Sequence, residues 1–487
     1  MKILIVTGKI AEDTIKKLVS GLEHDIDVLA LPVTVASFIT AKYAINQLKK
    51  HNLSGYDMLI MPGSTSGDIL LIEETIGIPV YRGPIHAADL PLVLSENIQL
   101  SKNQPANELI KTKLEEKALD TIAEAEKQWR AILSEKGGLL IGDLPVSQGL
   151  PMRVMGEIVN APNLSLDMVS QRALYFESQG ANIIDIGMLA GNPKPELIPK
   201  LINTIRETVD LPISIDTLNV DEIKASIDAG IDMILSLDFG NMDAITPLVS
   251  NEAIVVLPTN MSQGILQKKA EERVERLSEA VTRLQQVGVQ KIIGDLVVEP
   301  LLTPGLLEGI KAYQLFNQLY PQIPLLFGVG NVVELIDADS SGVHAAMIAL
   351  AREAGSCILH VPEYSDKVRG SVFEAVTASH MMFLAEKRGT VLKDLGLDLL
   401  VLKEKRWKEL EYDASEEKNA RILQGTGETE YHPDKKGWFK IQIERNTKEI
   451  VAIYYPSGSN EPDTIIRGKD SRSIYQTIIR EKLISKH

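Results

Sequence analysis

The chain has one cysteine, few aromatic residues and a shortage of positive charge. Cys357 has no partner for an intrachain disulfide, and a lone thiol cannot supply a thiolate metal cluster, so the expected setting is a reducing cytoplasm. Lysine and arginine number 51 against 66 acidic residues, a formal net charge of −15. That balance opposes the phosphate attraction behind most nucleic-acid binding and argues against a nucleic-acid partner. No apolar run approaches the roughly 18 residues that span a bilayer, which argues against a membrane role. Met1–Gly8 carries an apolar run too short for a signal peptide and reads as a first β-strand. What remains is ordinary globular material: 487 residues, 44% hydrophobic and 24% charged, enough for two or three cores.

Over residues 1–98, β-rich runs at 3–6, 26–31 and 56–61 alternate with helical stretches at 11–22 and 35–50, the pattern of a small parallel sheet. After the third run, Gly63-Ser64-Thr65-Ser66-Gly67-Asp68 reads first as a plain strand-to-helix turn, with an anion-binding nest of backbone N–H groups as the alternative. It is no Walker loop, because the Lys-Ser/Thr pair is missing. Residues 104–136 form one charged helical stretch with an apolar stripe at Leu109, Leu114, Ala118, Ile122, Ala125, Trp129 and Ile132. This predicts a connector helix packed on its own barrel, with a homodimer contact as the alternative.

From Arg153 to about 388, strand-like runs end at Asn160, Gly187, Thr217, Asp238, Thr259, Leu296, Gly330 and Pro362, each followed by a helical stretch. Eight βα units of about 30 residues predict a (β/α)8 barrel, with an open doubly wound sheet as the rival. The tail from about 401 is nearly neutral, so the acidity belongs to the front of the chain. After a Glu/Lys-rich linker and Gly425-Thr426-Gly427, alternating runs at 438–444 and 450–455 flank a turn at Arg445-Asn446-Thr447-Lys448, and a helix is expected at 470–486. The division expected is 1–100, a small Rossmann- or flavodoxin-like α/β domain; 101–137, the connector; 138–400, the barrel; and 401–487, a small α+β domain.

Barrel chemistry sits where strands end. The strand ends carry Glu157, Asn160, Asp185, Asp216, Asp238, Asp295, Asn331 and His360. Carboxylates and amides converging on one mouth can read an N–H-rich heterocycle. A protein-held metal is the rival, and His360 is the only imidazole in the set. Each aspartate could also simply cap the following helix. That reading weakens for the set, because Asp185, Asp216 and Asp295 lie in or beside apolar strands, where an unpaired charge is costly.

The barrel resembles the pterin-binding family, which contains dihydropteroate synthase and the pterin-dependent methyltransferases that methylate corrinoid proteins. The residues that carry the resemblance are Gly156-Glu157-Ile158-Val159-Asn160, Ile184-Asp185-Ile186-Gly187 and Ser214-Ile215-Asp216-Thr217. With its flanking domains the chain looks like the dihydropteroate synthase-like proteins of methanogens and related archaea, which use tetrahydromethanopterin in place of folate. The resemblance implies that Asp216 and Asp295 hold the pterin and that Asp185 lies beside Asn160. It also implies that Asn160 helps hold Mg2+ against the diphosphate of a hydroxymethyl-dihydropterin, and that an arylamine, in methanogens a ribofuranosyl-aminobenzene phosphate, displaces that diphosphate.

The departures are specific. The Ser-Thr-Arg loop of a synthase is replaced by Met188-Leu189-Ala190-Gly191-Asn192-Pro193-Lys194-Pro195, where Lys194 reads first as a solvated loop lysine, with replacement of the lost charge as the alternative. The strand-four asparagine falls near Leu235 or Ser236, so that its hydrogen bond is either missing or moved to Asp238 or Asn241. Gly328-Val329-Gly330-Asn331 is similar to the methyltransferase pattern, with Asn331 beside the pterin. The Arg-x-His anion clamp is replaced by His360-Val361-Pro362, with Lys367 and Arg369 following. The expectation is therefore a dihydropteroate synthase-like transferase, with Asn160, Lys194, Lys367 and Arg369 around the diphosphate. The alternatives are a methyltransferase serving a corrinoid protein and a non-catalytic pterin-binding or assembly protein.

Overall fold

The computed structural model describes residues 1–95, 98–302, 305–400, 417–418, 420–424, 435–445 and 447–485. The linker from 401, Gly425-Thr426-Gly427 and Asn446 lie outside the described residues. The chain divides into two compact units, Met1–Lys405 and Arg406–His487.

In the first unit, β1 (Lys2–Gly8), β2 (Asp25–Leu31), β3 (Met58–Met61) and β4 (Val80–Arg82) form a parallel sheet in the order β2-β1-β3-β4. The turn after β3 is an ordinary turn and not an anion nest. Its N–H groups are donated inward, Gly63 to Pro84 O, Thr65 to Pro62 O and Ser66 to Ile39 O. Its carbonyls face a cation: Arg82 donates to Thr65 O at 2.5 Å and Gly67 O at 2.8 Å.

The expected single connector is three helices, Ala106–Leu109, Lys111–Lys127 and Trp129–Lys136. Its stripe is nevertheless buried on the same chain, with Ala118, Ile122 and Ala125 packed against Leu150, Met381, Phe383 and Leu384. Leu109 falls off the stripe and is exposed. A short antiparallel hairpin follows, β5 (Leu139–Ile141) and β6 (Leu144–Val146).

Eight strands then close a parallel barrel: β7 (Arg153–Ile158), β8 (Ile183–Gly187), β9 (Ile213–Asp216), β10 (Met233–Leu237), β11 (Ala253–Val256), β12 (Ile292–Gly294), β13 (Leu325–Gly328) and β14 (Ser356–Pro362), with β14 beside β7. Isoleucine and valine dominate these runs, as expected for strands buried on both faces. Alternation sorts them. Val154, Ile184, Ile186, Ile234 and Ile254 face the surrounding helices. Met155, Ile183, Met233, Val255, Ile293 and Leu326 fill the barrel, and Leu139, Ile141 and Val146 of the hairpin plug that same core. Helices begin on capping side chains where the sequence offers them: Ser165 accepts the Met168 N–H, and Asn219 accepts those of Asp221 and Glu222.

The second unit is a four-stranded sheet in the order β15-β18-β17-β16, from β15 (Arg421–Gln424), β16 (Gly437–Glu444), β17 (Glu449–Pro456) and β18 (Thr464–Gly468). The expected hairpin is present with Glu444 opposite Glu449, and Trp438 stacks on Tyr455 at 4.1 Å between ring centroids. The closing helix, Ser471–Arg480, is capped by Asp470 and packs Ile474 and Ile478 on Ala452, Tyr454 and Ile466.

Candidate active site at the barrel mouth

Strand alternation aims the polar strand ends inward. On β7 the inward sequence runs Arg153, Met155, Glu157, and on β8 it runs Ile183, Asp185, Gly187. Register aligns them, with Glu157 opposite Asp185, Gly187 opposite Asp216, and Met155 opposite His360. Gly187 leaves the space that Glu157 fills, since a Cβ there would collide with Glu157 Oε1.

Four groups converge. Asp185 is fully buried and accepts the Ser214 hydroxyl on Oδ1. His360 Nε2 stands 3.3 Å from Glu157 Oε2 and 3.4 Å from Asp185 Oδ2. Burial raises the Asp185 carboxyl above its usual range, and burial with Asp185 nearby pushes Asp216 up to about 8. Burial pulls the His360 imidazole down, but Asp185 and Glu157 together outweigh it and leave it well above its usual range.

Across the mouth, Asp295 follows β12. Its Oδ1 accepts the Val297 N–H at 2.7 Å and the hydroxyl of fully buried Tyr313 at 2.5 Å. Burial pushes this carboxyl up as well. The loop beyond it is held from two sides. Asn331 Nδ2 donates to Val298 O at 2.8 Å, while the buried Arg273 guanidinium donates to Gln267 O at 3.0 Å and Val297 O at 2.8 Å and pairs with Glu299. Val297 is thereby held at φ +66°, a conformation β-branched residues rarely adopt.

The remaining expected residues have other surroundings. Both Asp238 oxygens serve loops: Oδ1 accepts the Gly240 N–H, and Oδ2 accepts the Thr259 hydroxyl at 3.0 Å and the Met261 N–H at 2.6 Å. Asn241 accepts the Asp238 N–H and donates to Leu218 O and Ser236 O. Asn160 ends the β7 turn in the left-handed region at φ +53°. Lys194 donates its backbone N–H to Glu222 Oε1 at 2.7 Å, and Glu222 also accepts the Thr217 hydroxyl. Lys367 Nζ is bonded to Ile336 O with Asp337 at 3.9 Å, so this cation is committed to the loop after β13. Arg369 is exposed. Reading the sequence missed Ser214, Glu222, Arg273 and Tyr313. Only Ser214 carried a local signal, standing two residues before Asp216 and therefore on the same inward face.

Comparison with known proteins gives this arrangement a class. Residues 160–362 match the family described as pterin binding enzyme, and residues 1–85 match a family of unknown function, DUF6513. The fold is similar to a Yersinia pestis dihydropteroate synthase solved with a pterine-sulfa conjugate, at 18% identity and a TM-score of 0.41 over 51% of this chain and 99% of that one. It is also similar to the Xanthomonas albilineans dihydropteroate synthase in complex with 7,8-dihydropteroate, at 20% identity and a TM-score of 0.38 over 50% and 93%. The barrel is the part of the chain that the pterin binding enzyme family model describes. More particularly, the chain belongs to the same family as "Uncharacterized protein MJ0107" of Methanocaldococcus jannaschii, to which it is 38% identical over 504 residues, spanning 100% of this chain and 93% of that protein. Among the described residues no helix is long and apolar enough to cross a membrane.

Proposed function

We propose that the mouth binds a hydroxymethyl-dihydropterin diphosphate and joins it to an arylamine, in the biosynthesis of a tetrahydromethanopterin- or folate-type cofactor. The observation that carries this reading is the pair of inward carboxylates at the ends of β9 and β12, Asp216 and Asp295, in a barrel matched by the pterin binding enzyme family. Their oxygens would accept the ring and 2-amino N–H groups. The amine nitrogen attacks the exocyclic methylene, the new C–N bond forms as the C–O bond to diphosphate breaks, and the amine proton is lost. Mg2+ would arrive with the diphosphate, near Asn160. Methyl transfer to a corrinoid protein draws less support, since Asn331 already gives an amide N–H to Val298 O.

Incubation with the pterin diphosphate and an arylamine should release diphosphate, measured by coupled assay. Asp216→Asn and Asp295→Asn should each weaken pterin binding by roughly 1.5–3 kcal/mol in calorimetry, because a carboxyl group able to accept two N–H groups becomes an amide with one acceptor oxygen. Pterin binding without diphosphate release would point to the non-catalytic alternative, and unchanged affinity in both variants would remove the pterin site.

A further inference from the structure

The mouth gathers three carboxyl groups around one imidazole. Glu157, Asp185, Asp216 and His360 each offer one ligand atom, all within 4.8 Å of one another. They stand on four consecutive strands of the barrel, β14-β7-β8-β9. Among the described residues, the ion pairs of Glu157 and Asp185 are with His360, and no lysine or arginine pairs with either or with Asp216.

A second observation concerns where the atoms point. Asp185 has no exposed side-chain surface, and Ser214 accounts for only one of its oxygens. Asp185 Oδ2 and His360 Nε2 lie 3.4 Å apart, yet among the described residues neither has a hydrogen-bond partner. Buried polar atoms left in this state are rare. Both atoms belong to the cluster whose four ligand atoms lie within 4.8 Å of one another. Ligand atoms about 2.1 Å from a tetrahedral ion stand roughly 3.4 Å from one another. Both His360 separations, 3.3 and 3.4 Å, already have that spacing.

We propose that Glu157, Asp185, Asp216 and His360 form a site for one divalent transition-metal ion. Three carboxylate oxygens and one imidazole nitrogen favour Mn2+, Fe2+, Co2+ or Zn2+ over Mg2+ and Ca2+, which take oxygen alone. The ion offsets most of the charge that the barrel gathers and ties four neighbouring strands together. Asp216 has two oxygens, so one can face the ion while the other faces a bound ring. Under the reading above, the ion supplies the positive charge that Lys367 does not bring to the mouth. The site itself rests on the four side chains and stands apart from that reading.

The test uses the full chain and the metal alone. Protein stripped with chelator and dialysed is titrated with MnCl2 by electron paramagnetic resonance and with ZnCl2 by calorimetry. One ion per chain should bind, and the loaded protein should melt at a higher temperature than the stripped one. His360→Gln and Glu157→Gln, confirmed folded by circular dichroism, should bind at least about ten-fold more weakly, since even the loss of a group supporting a ligand costs that much. Absence of binding to the wild-type chain at 1 mM metal overturns the proposal without recourse to any variant. Equal affinity in both variants overturns it too, by placing the ion elsewhere. No pterin enters the readout, so this result and the fate of the pterin reading are decided separately.

Discussion

Arg273 shows how much one side chain can organise without touching the mouth. Its guanidinium is fully buried, and its four partners are three backbone carbonyls and Glu299, itself 4% exposed. Arg273→Met leaves the Glu299 carboxylate buried without its partner, and the three carbonyls without a donor. The expected cost is about 3–5 kcal/mol in urea denaturation. Adding Glu299→Gln should return part of that loss, because the two changes share one interaction. None of this was legible in the sequence, where Arg273 looks like any surface arginine of the amphipathic stretch 265–287. Asp238 shows the converse. In sequence Asp185, Asp216 and Asp238 are equivalent, each ending an apolar run. What separates them is the supply of N–H and O–H donors from Gly240, Thr259 and Met261, which saturates Asp238 and leaves the other two facing the mouth. Glu157 and His360 could be named individually as strand-end residues. Their meeting depends on β14 closing against β7, about 200 residues apart in the chain, and is a property of barrel closure.

At the scale of elements, strands long enough to show a period were readable and short ones were not. The ends expected at Gly187 and Pro362 are those observed, and the 438–444 and 450–455 runs pair as a hairpin because eight-residue strands display their alternation fully. The β5–β6 hairpin has three residues on each side, too few for a pattern, although its Gly142-Asp143 loop is a recognisable two-residue turn with Gly142 at φ +54°. The connector's apolar spacing was a true guide to its buried face but not to its continuity. Gln128, at φ −89° and ψ 10°, interrupts the helix while the stripe runs on through Trp129 and Ile132. The hairpin matters for stability because it closes the barrel floor. Ile141 is wholly buried in one cluster with the inward-facing strand residues. Ile141→Ala should cost about 2–5 kcal/mol by chemical denaturation, from lost burial plus the cavity left in a rigid barrel. Leu140→Ala, on the half-buried outer face of the same strand, should cost far less.

At the scale of the whole molecule, the division expected at about residue 100 falls within one compact unit, because the parallel sheet is tied to the barrel by contacts no local pattern reveals. Arg388, ending the last barrel helix, pairs with Asp89 some 300 residues earlier, and His86 meets Asp394 at 3.2 Å beside them. Asp89 is 1% exposed. Burial raises its carboxyl above the usual range, while Arg388 and His86 pull the other way. Arg388→Met removes the stronger of those two opposing influences, so the carboxyl moves higher still. A folded state that holds this proton more tightly than the unfolded chain does loses stability as pH rises, beginning near the unfolded value of about 3.9 and continuing through the raised folded value. The variant's deficit against wild type should therefore be small at pH 5 and grow toward about 3–5 kcal/mol at pH 8, where a buried carboxylate must ionise without its guanidinium. His86 and Asp394 face the same pair in both proteins. The control that isolates Asp89 is Asp89→Asn in the Arg388→Met background, which should flatten the pH dependence of the melting temperature. A deficit equal at pH 5 and pH 8 would mean that Arg388 acts through packing alone and that the sheet and barrel are not joined by this charge pair.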